Sequence, residues 1–235
     1  MTPAAIPVNH AAPAPAWVIV ALIVIGLIVD QHAAVGGQLA VSIATWALLL
    51  YWIAHSSPAV RLTLIVCVIY ATLGEIFLSL VWGLYEYRLG NIPLFVPPGH
   101  ALLFTLGAIL STRLRDWVIW AVPLLAAPVI IGLAWTRSDT LGPPLYALLV
   151  VCIIFSGARK LYAVMFMLAL AMEIYGTALG NWTWQRDVPW LRLTTLNPPL
   201  AAGAFYCVLD LLVVVTTTPL KRWLREPPAG EFREW

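Results

Sequence analysis

The chain contains few charged residues for its length. Lys, Arg, Asp and Glu make up 10% of its 235 residues, whereas about 25% is usual for soluble globular domains. So few charges cannot cover a surface that faces water on all sides, and the composition therefore excludes an ordinary soluble domain. The formal net charge is only +2, and no basic stripe is present. We accordingly predict no nucleic-acid partner.

Cysteine and the common catalytic motifs are also scarce. Cys67, Cys152 and Cys207 are the three cysteines, and each lies inside an apolar run, so a disulfide framework is not expected. No Cys or His spacing indicates a metal site, and no glycine-rich phosphate loop or nucleophile elbow is present. The sequence therefore predicts neither a metal site nor a cofactor.

Long apolar runs occupy most of the chain. Hydrophobic residues make up 62% of it, and the mean hydropathy is +0.90. A spanning helix needs about 20 mainly apolar residues, while the alternating pattern of a membrane barrel is missing, which argues against strands. We predict an all-α polytopic membrane bundle of about eight transmembrane helices. The predicted spans are Ala16–Val29, Gln38–Ala54, Val60–Trp82, Val96–Thr112, Trp117–Trp135, Leu145–Ser156, Leu161–Leu179 and Pro199–Thr217.

The distribution of charge predicts the topology of this bundle. We expect a flexible tail at residues 1–15, a single membrane domain at residues 16–217 and a cytoplasmic tail at residues 218–235. With both termini in the cytoplasm, Lys and Arg concentrate on the cytoplasmic side, as in bacterial-type inner (plasma) membranes. The cytoplasmic set is Arg61, Arg113, Arg115, Arg159, Lys160, Lys221, Arg222, Arg225 and Arg233; the opposite set is Arg88, Arg137, Arg186 and Arg192.

The two halves of the chain carry a similar pattern. Arg61 precedes Glu75 by the same spacing as Arg159 precedes Glu173. Each glutamate is followed by a glycine with two alternating aromatics and then by a Pro-Pro pair. This pattern predicts two parallel four-helix repeats, residues 16–112 and 117–217; the alternative is chance similarity of two hydrophobic segments. The aromatic motifs are Gly83-Leu-Tyr85-Glu-Tyr87 and Gly180-Asn-Trp182-Thr-Trp184.

Acidic residues inside predicted spans are candidates for chemistry. A central Asp costs about 2.5–3.5 kcal/mol on insertion scales, so Glu75, Glu173 and Asp210 each need a partner, a cavity or a bound proton. We predict that the two glutamates act as a general acid or stabilise a cation; the alternative is a structural acid hydrogen-bonded between helices. His100 is a third catalytic candidate, because it can reach Glu75 if the third and fourth spans pack antiparallel.

Aromatic residues gather at the outer ends of the third and seventh spans. Side chains two residues apart share one face of an extended segment, so the two motifs can wall one pocket between the halves, where their faces attract cations. The alternative is the interfacial aromatic belt of membrane proteins. The predicted substrate-binding residues are Trp82, Tyr85, Tyr87, Trp182, Trp184, Asn181, Asn197 and Asp210.

The sequence around these residues resembles the membrane carotenoid hydratase family, including hydratases of the bacterioruberin type. The similarity lies in Glu75, Gly83-x-Tyr85-x-Tyr87 and the segment from Ile92 to Pro97, with Glu173 and Asn197 in the second half. It implies acid-promoted addition of water to a terminal polyene double bond. Where the family has an aromatic-rich segment, this chain has Pro98-Gly99-His100. Small membrane terpene cyclases, which use intramembrane acids on isoprenoid alkenes, are a second candidate.

These features favour an intramembrane enzyme over other classes. Its substrate would be an isoprenoid or carotenoid-like apolar lipid, and its reaction alkene hydration, cyclisation or isomerisation, as in a lyase or an isomerase. The alternative is a non-enzymatic membrane subunit or small transporter that binds lipid, pigment or a partner complex. In either case membrane lipids surround the chain, and a protein partner or a homo-oligomer remains open.

Overall fold

The chain folds into a bundle of helices. The computed structural model describes the backbone of residues 16–225 and the side chains of residues 16–220; the predicted tail at residues 1–15 and the end of the predicted cytoplasmic tail lie outside these ranges. The all-α class predicted from the sequence is confirmed. The helices are α1 (Ala16–His32), α2 (Ala34–Ala54), α3 (Pro58–Glu75), α4 (Val96–Arg113), α5 (Val118–Trp135), α6 (Gly142–Phe155), α7 (Arg159–Leu179) and α8 (Gly203–Arg225).

Helix lengths agree with a membrane protein. Among the described residues, five helical segments are long and apolar enough to cross a membrane: α2, α5, α7, the first part of α8, and α3 together with the π-helix Ile76–Val81 that continues it. Helices α1 and α6 are apolar but shorter. The last helix begins at Gly203 rather than at Pro199, because the Pro-Pro pair lies in the preceding loop.

Four helices form the centre of the bundle. Helix α3 packs against α4 and α8, and α7 packs against the same two helices. The α1–α2 pair covers α4 and touches α7, whereas the α5–α6 pair covers α7 and α8. Large side chains such as Tyr162, Phe166 and Leu64 are fully buried inside, while Leu125 and Phe155 face outwards. An apolar outer surface of this kind suits contact with lipid.

Two short antiparallel strands connect the halves of the chain. Strand β1 (Tyr85–Tyr87) pairs with β2 (Trp182–Trp184), so that Tyr85 lies opposite Trp184 and Tyr87 opposite Trp182. The argument against strands is therefore wrong here, because it tested only for spans of a membrane barrel and these strands lie in loops. The extended form expected of the alternating aromatics is confirmed, since both rings of each strand are buried on one face.

Glycine residues follow the two helices that lead into the strands, and arginine side chains cap two helices at the opposite end of the bundle. Gly83 and Gly180 adopt positive φ angles of 72° and 84° after the helices that carry the two glutamates, a conformation that glycine adopts without steric cost. Arg61 and Arg159 each donate hydrogen bonds to carbonyl groups at the end of the preceding helix, α2 or α6. The two arginines therefore act alike, as helix C-caps.

The close contact of α7 with α8 predicts the effect of a glycine substitution. A Cβ at Gly203 would lie 2.5 Å from the carbonyl oxygen of Phe166 and 2.8 Å from its Cα. Because these are backbone atoms, they cannot turn away, and overpacking of this kind costs about 1–3 kcal/mol. We expect Gly203→Ala to lower the free energy of unfolding in detergent micelles by about that amount.

Gly132→Ala is the matched control for this experiment. No heavy atom lies within 4 Å of a Cβ built at Gly132, in the interior of α5. Alanine there leaves stability unchanged or raises it by about 0.5–1 kcal/mol, because alanine loses less backbone entropy than glycine on folding. Equal losses in the two variants would contradict the α7–α8 contact.

Candidate functional site

A mainly apolar cavity lies between the α1–α2 pair and the central helices. It contains about 670 Å³ of space between atoms, its mouth included. Glu75, the last residue of α3, and Glu173 of α7 both line it, although they are only 6% and 5% exposed. The structure thus brings the two glutamates together in one place. Most of the wall is apolar and includes Leu22, Ile23, Leu27, Val41, Phe95 and Met172.

Glu75 is held by three side chains. Its Oε2 accepts hydrogen bonds from the hydroxyl groups of Tyr85 and Tyr87, at 2.8 and 2.7 Å. Its Oε1 lies 3.4 Å from Nε2 of His100, in the first turns of α4. The contact with His100 has the geometry anticipated from antiparallel packing of the third and fourth spans. Both tyrosines reach the acid because β1 folds back beneath the end of α3.

Glu173 is held in the same way by different side chains. Its Oε2 accepts hydrogen bonds from the indole nitrogens of Trp182 and Trp184, at 2.8 and 3.0 Å. Its Oε1 accepts a hydrogen bond of 3.3 Å from the hydroxyl group of Tyr206, in the first turn of α8. Each acid therefore has two aromatic donors from the strand that follows it and a third partner from the next helix.

The partners of the two glutamates also contact each other. The rings of His100 and Tyr206 stack with their centroids 4.8 Å apart. Across the strand pair, the centroids of Tyr85 and Trp184 are likewise 4.8 Å apart. The two acids and their donors consequently form one continuous cluster rather than two separate sites.

The donors give the two acids different chemistry. An indole nitrogen only donates a hydrogen bond, whereas a tyrosine hydroxyl both donates and accepts. Oε2 of Glu173 is accordingly restricted to accepting. Oε2 of Glu75 can accept from Tyr85 and Tyr87 or, when it carries a proton, donate to one of them. Glu75 is thus the acid whose two strand donors are both hydroxyl groups, whereas the hydroxyl group next to Glu173 comes from Tyr206 on α8.

Two residues predicted to bind substrate lie away from the cavity wall. Trp82 donates a 2.8 Å hydrogen bond to the carbonyl of Pro189 and stacks on Trp190, because the π-helix before it turns its ring towards the surface loop. Asp210 is completely buried in α8, and neither of its oxygens has a hydrogen-bond partner among the described residues. It lies one helical turn beyond Tyr206 and does not line the cavity.

Three further predicted residues support the wall from behind. Trp184 reaches the site through its bond to Glu173, and its backbone nitrogen donates to Oδ1 of Asn197 at 3.0 Å. Asn181 donates to Oδ2 of Asp30 at 2.7 Å. None of the three lines the cavity, so their contacts position the β2 strand instead.

A buried polar network next to Asn181 was missed by the sequence analysis. Asp30 is 2% exposed, and its Oδ1 accepts a hydrogen bond from Gln38 at 3.3 Å. Arg88 lies 3.9 Å from the same oxygen and donates to the backbone carbonyl of Asp30. This network ties α1 and α2 to both strands. Asp30 lies just past the predicted end of the first span, where a single polar residue is typical of a loop. Gln38, at the predicted start of the second span, is a nearby polar residue that could have indicated a partner for Asp30.

Comparisons with protein-family models, curated proteins and solved structures give no match to this chain. Within residues 16–220, no group of three or more His, Cys, Asp or Glu side chains is arranged to hold a metal ion.

The hydrogen bonds to Glu173 predict a coupling that can be measured. Trp182→Phe removes one indole donor from a buried carboxyl oxygen, which costs about 1–3 kcal/mol. In a double-mutant cycle with Glu173→Leu, which removes the acceptor, we expect a coupling energy of about 0.5–3 kcal/mol in the free energy of unfolding. Trp135→Phe serves as control, because Trp135 is 88% exposed. Strictly additive effects of Trp182→Phe and Glu173→Leu would contradict the bond.

Proposed function

We propose that this chain is an intramembrane enzyme that acts on an isoprenoid or carotenoid-like apolar lipid by acid-promoted alkene hydration, cyclisation or isomerisation. The convergence of Glu75, Glu173 and His100 on one apolar cavity carries the proposal. Such a cavity suits a lipid-soluble substrate, and a positioned carboxyl group supplies general acid catalysis. The resemblance of the Glu75 and Gly83-x-Tyr85-x-Tyr87 segment to membrane carotenoid hydratases favours the same class.

Glu75 is the general acid in this proposal. Its proton passes to one carbon of the alkene, so that a C–H bond forms from the π electrons and the neighbouring carbon becomes cationic. Glu173, whose Oε2 accepts hydrogen bonds from two indole nitrogens, stabilises the positive charge together with the aromatic faces of Trp182 and Tyr206. His100 positions Glu75 through the contact of its Nε2 with Oε1 of the glutamate. Addition of water or loss of a neighbouring proton then ends the reaction, and the released proton returns to Glu75.

The proposal includes eight membrane spans in two parallel repeats. The like contacts of Glu75 and Glu173 support the repeat, as does the pairing of β1 with β2. In the repeat, Tyr85 corresponds to Trp182 and Tyr87 to Trp184. The observed register places Tyr85 opposite Trp184 and Tyr87 opposite Trp182, which is the pairing that a local two-fold axis between the strands requires. The excess of Lys and Arg on one side supports cytoplasmic termini in a bacterial-type inner membrane.

Turnover by purified protein in liposomes tests the proposal. We expect conversion of an added acyclic isoprenoid, either lycopene or squalene, and a loss of about 10²–10⁴-fold in rate for Glu75→Gln, the usual contribution of a general acid. Asp116→Asn is the control, since Asp116 lies in the loop before α5, where it pairs with Lys160 at the surface. Full turnover by Glu75→Gln would reject the acid role.

Isotope labels identify the reaction in the same experiment. In deuterium oxide, hydration adds one water to the product mass, and cyclisation or isomerisation leaves the mass of the substrate apart from the incorporated deuterium. Deuterium bound to carbon in either product supports protonation of the alkene by an exchangeable acid. Product without carbon-bound deuterium would argue against an acid-promoted mechanism.

A non-enzymatic membrane subunit or transporter is the second candidate. All four carboxyl oxygens of Glu75 and Glu173 contact side chains of the chain itself, which is the arrangement of acids that fasten strands to helices. This function predicts a lipid or pigment that stays bound through purification without turnover, or proton-coupled uptake into vesicles. Conversion of lycopene or squalene would favour the enzyme instead.

A further inference from the structure

A second cavity lies at the same end of the bundle, and its character is polar. It contains about 540 Å³ of space between atoms, open solvent included. Its lining includes the side chains of Glu86, Asn91 and Gln185, all of which are exposed, and Ser79 of the π-helix, which is half-buried. Polar groups at an exposed surface of this kind are accessible to water.

Tyr85 and Tyr87 belong to both cavities. They line the polar cavity and also line the apolar cavity that contains Glu75 and Glu173. The two tyrosines therefore form part of a wall that both spaces share. Both of their hydroxyl groups donate to Oε2 of Glu75, so residues that hydrogen-bond to the acid also line the polar cavity.

The arrangement at Glu173 differs. Trp182 lines the apolar cavity and not the polar one, and its indole nitrogen only donates a hydrogen bond. The hydroxyl group that contacts Glu173 belongs to Tyr206, which does not line the polar cavity. Helix α7 ends regularly, and Gly180 is seven positions after Glu173, whereas Gly83 is eight positions after Glu75. The π-helix accommodates the additional residue, and π-helical turns occur frequently at functional sites. Ser79, in that π-helix, lines the polar cavity.

We propose that the polar cavity is a proton port, in which water exchanges protons with Glu75 through the hydroxyl groups of Tyr85 and Tyr87. The inference rests on the proposed function, in which Glu75 gives up a proton during turnover. It assigns the ligand of the polar cavity as water and its protons, and it names the two tyrosines as relay residues for Glu75 alone.

The transfer balances in protons and charge. A hydronium ion in the polar cavity gives a proton to a tyrosine oxygen and becomes water. The O–H bond that points to Glu75 breaks, and that proton binds Oε2, so the carboxylate becomes a neutral acid. The tyrosine keeps one proton throughout and ends with its hydroxyl turned. A tyrosine performs this exchange because its hydroxyl both donates and accepts.

Protonation of Glu75 after a rapid pH jump tests the port without any substrate. The infrared C=O band of the neutral acid reports it, and its absence in Glu75→Gln assigns the band. The double variant Tyr85→Phe/Tyr87→Phe removes both hydroxyl groups and should slow the appearance of this band about tenfold. A tenfold change in rate corresponds to the free energy of about one hydrogen bond to a charged group. Trp135→Phe, on the outer surface of α5 where the side chain is 88% exposed, should leave the rate unchanged. An unchanged rate in the double variant, or a Glu75 band that never titrates, would overturn the port.

Chemical blocking of the polar cavity gives a test that leaves the tyrosines intact. The native Cys67, Cys152 and Cys207 are buried, so a charged, membrane-impermeant thiol reagent should modify Ser79→Cys selectively. Modification should slow protonation of Glu75 about as much as the tyrosine substitutions, by about tenfold. Ser111→Cys, at the far end of α4, is the matched control. Protonation at the unmodified rate after complete labelling at position 79 would overturn the proposal.

These results separate the port from the enzyme. Slow protonation in the blocked protein supports the port even if lycopene and squalene are not converted, in which case the proposed function fails alone. If turnover persists, and neither the tyrosine substitutions nor the labelling at position 79 changes the rate at which Glu75 is protonated, the enzyme is supported and the port is rejected.

Discussion

Two carboxyl groups buried among apolar side chains need hydrogen-bond donors, and this need organises one end of the bundle. An unpartnered buried polar group costs about 1–3 kcal/mol, more when it is charged. Glu75 and Glu173 obtain their donors from β1 and β2, which fold back towards the ends of α3 and α7. Because the two strands also pair with each other, satisfying the acids closes one end of the cavity and joins the two halves of the chain.

The same scaffold gives the two acids unequal properties. Two tyrosine hydroxyl groups donate to Oε2 of Glu75, whereas two indole nitrogens donate to Oε2 of Glu173. Environment alone assigns different roles to paired carboxyl groups in other acid–base sites, and here the difference is a hydroxyl in place of an indole. The π-helix occurs after Glu75 and has no counterpart at Glu173, where α7 ends in a left-handed glycine.

Helices and extended segments followed from the sequence because their signals are local. Apolar runs located the helices within a few residues, and the alternation of aromatics around Glu86 and Thr183 indicated two extended segments, whose pairing as strands was not predicted. The contact of His100 with Glu75 followed from the antiparallel packing expected of adjacent spans, and the meeting of Glu75 with Glu173 from the similar pattern in the two halves. Asp30 and Asp210 show what local signals omit. Asp30 is buried by contacts with residues far along the chain. Asp210 is buried in the interior of the bundle and does not line the cavity. Its direction depends on the rotation of α8 about its axis, which the apolar periodicity of so hydrophobic a segment did not define.

The tyrosine wall also bears on which product the proposed enzyme makes. A cation formed in the apolar cavity is captured as an alcohol only if a water molecule reaches it; without water, it ends by closing a ring or losing a proton. Tyr85 and Tyr87 as relays would pass protons while keeping the water of the polar cavity outside, and exclusion of water protects reactive intermediates from side reactions. Hydration therefore requires that this wall open during turnover, whereas cyclisation and isomerisation require that it stay closed.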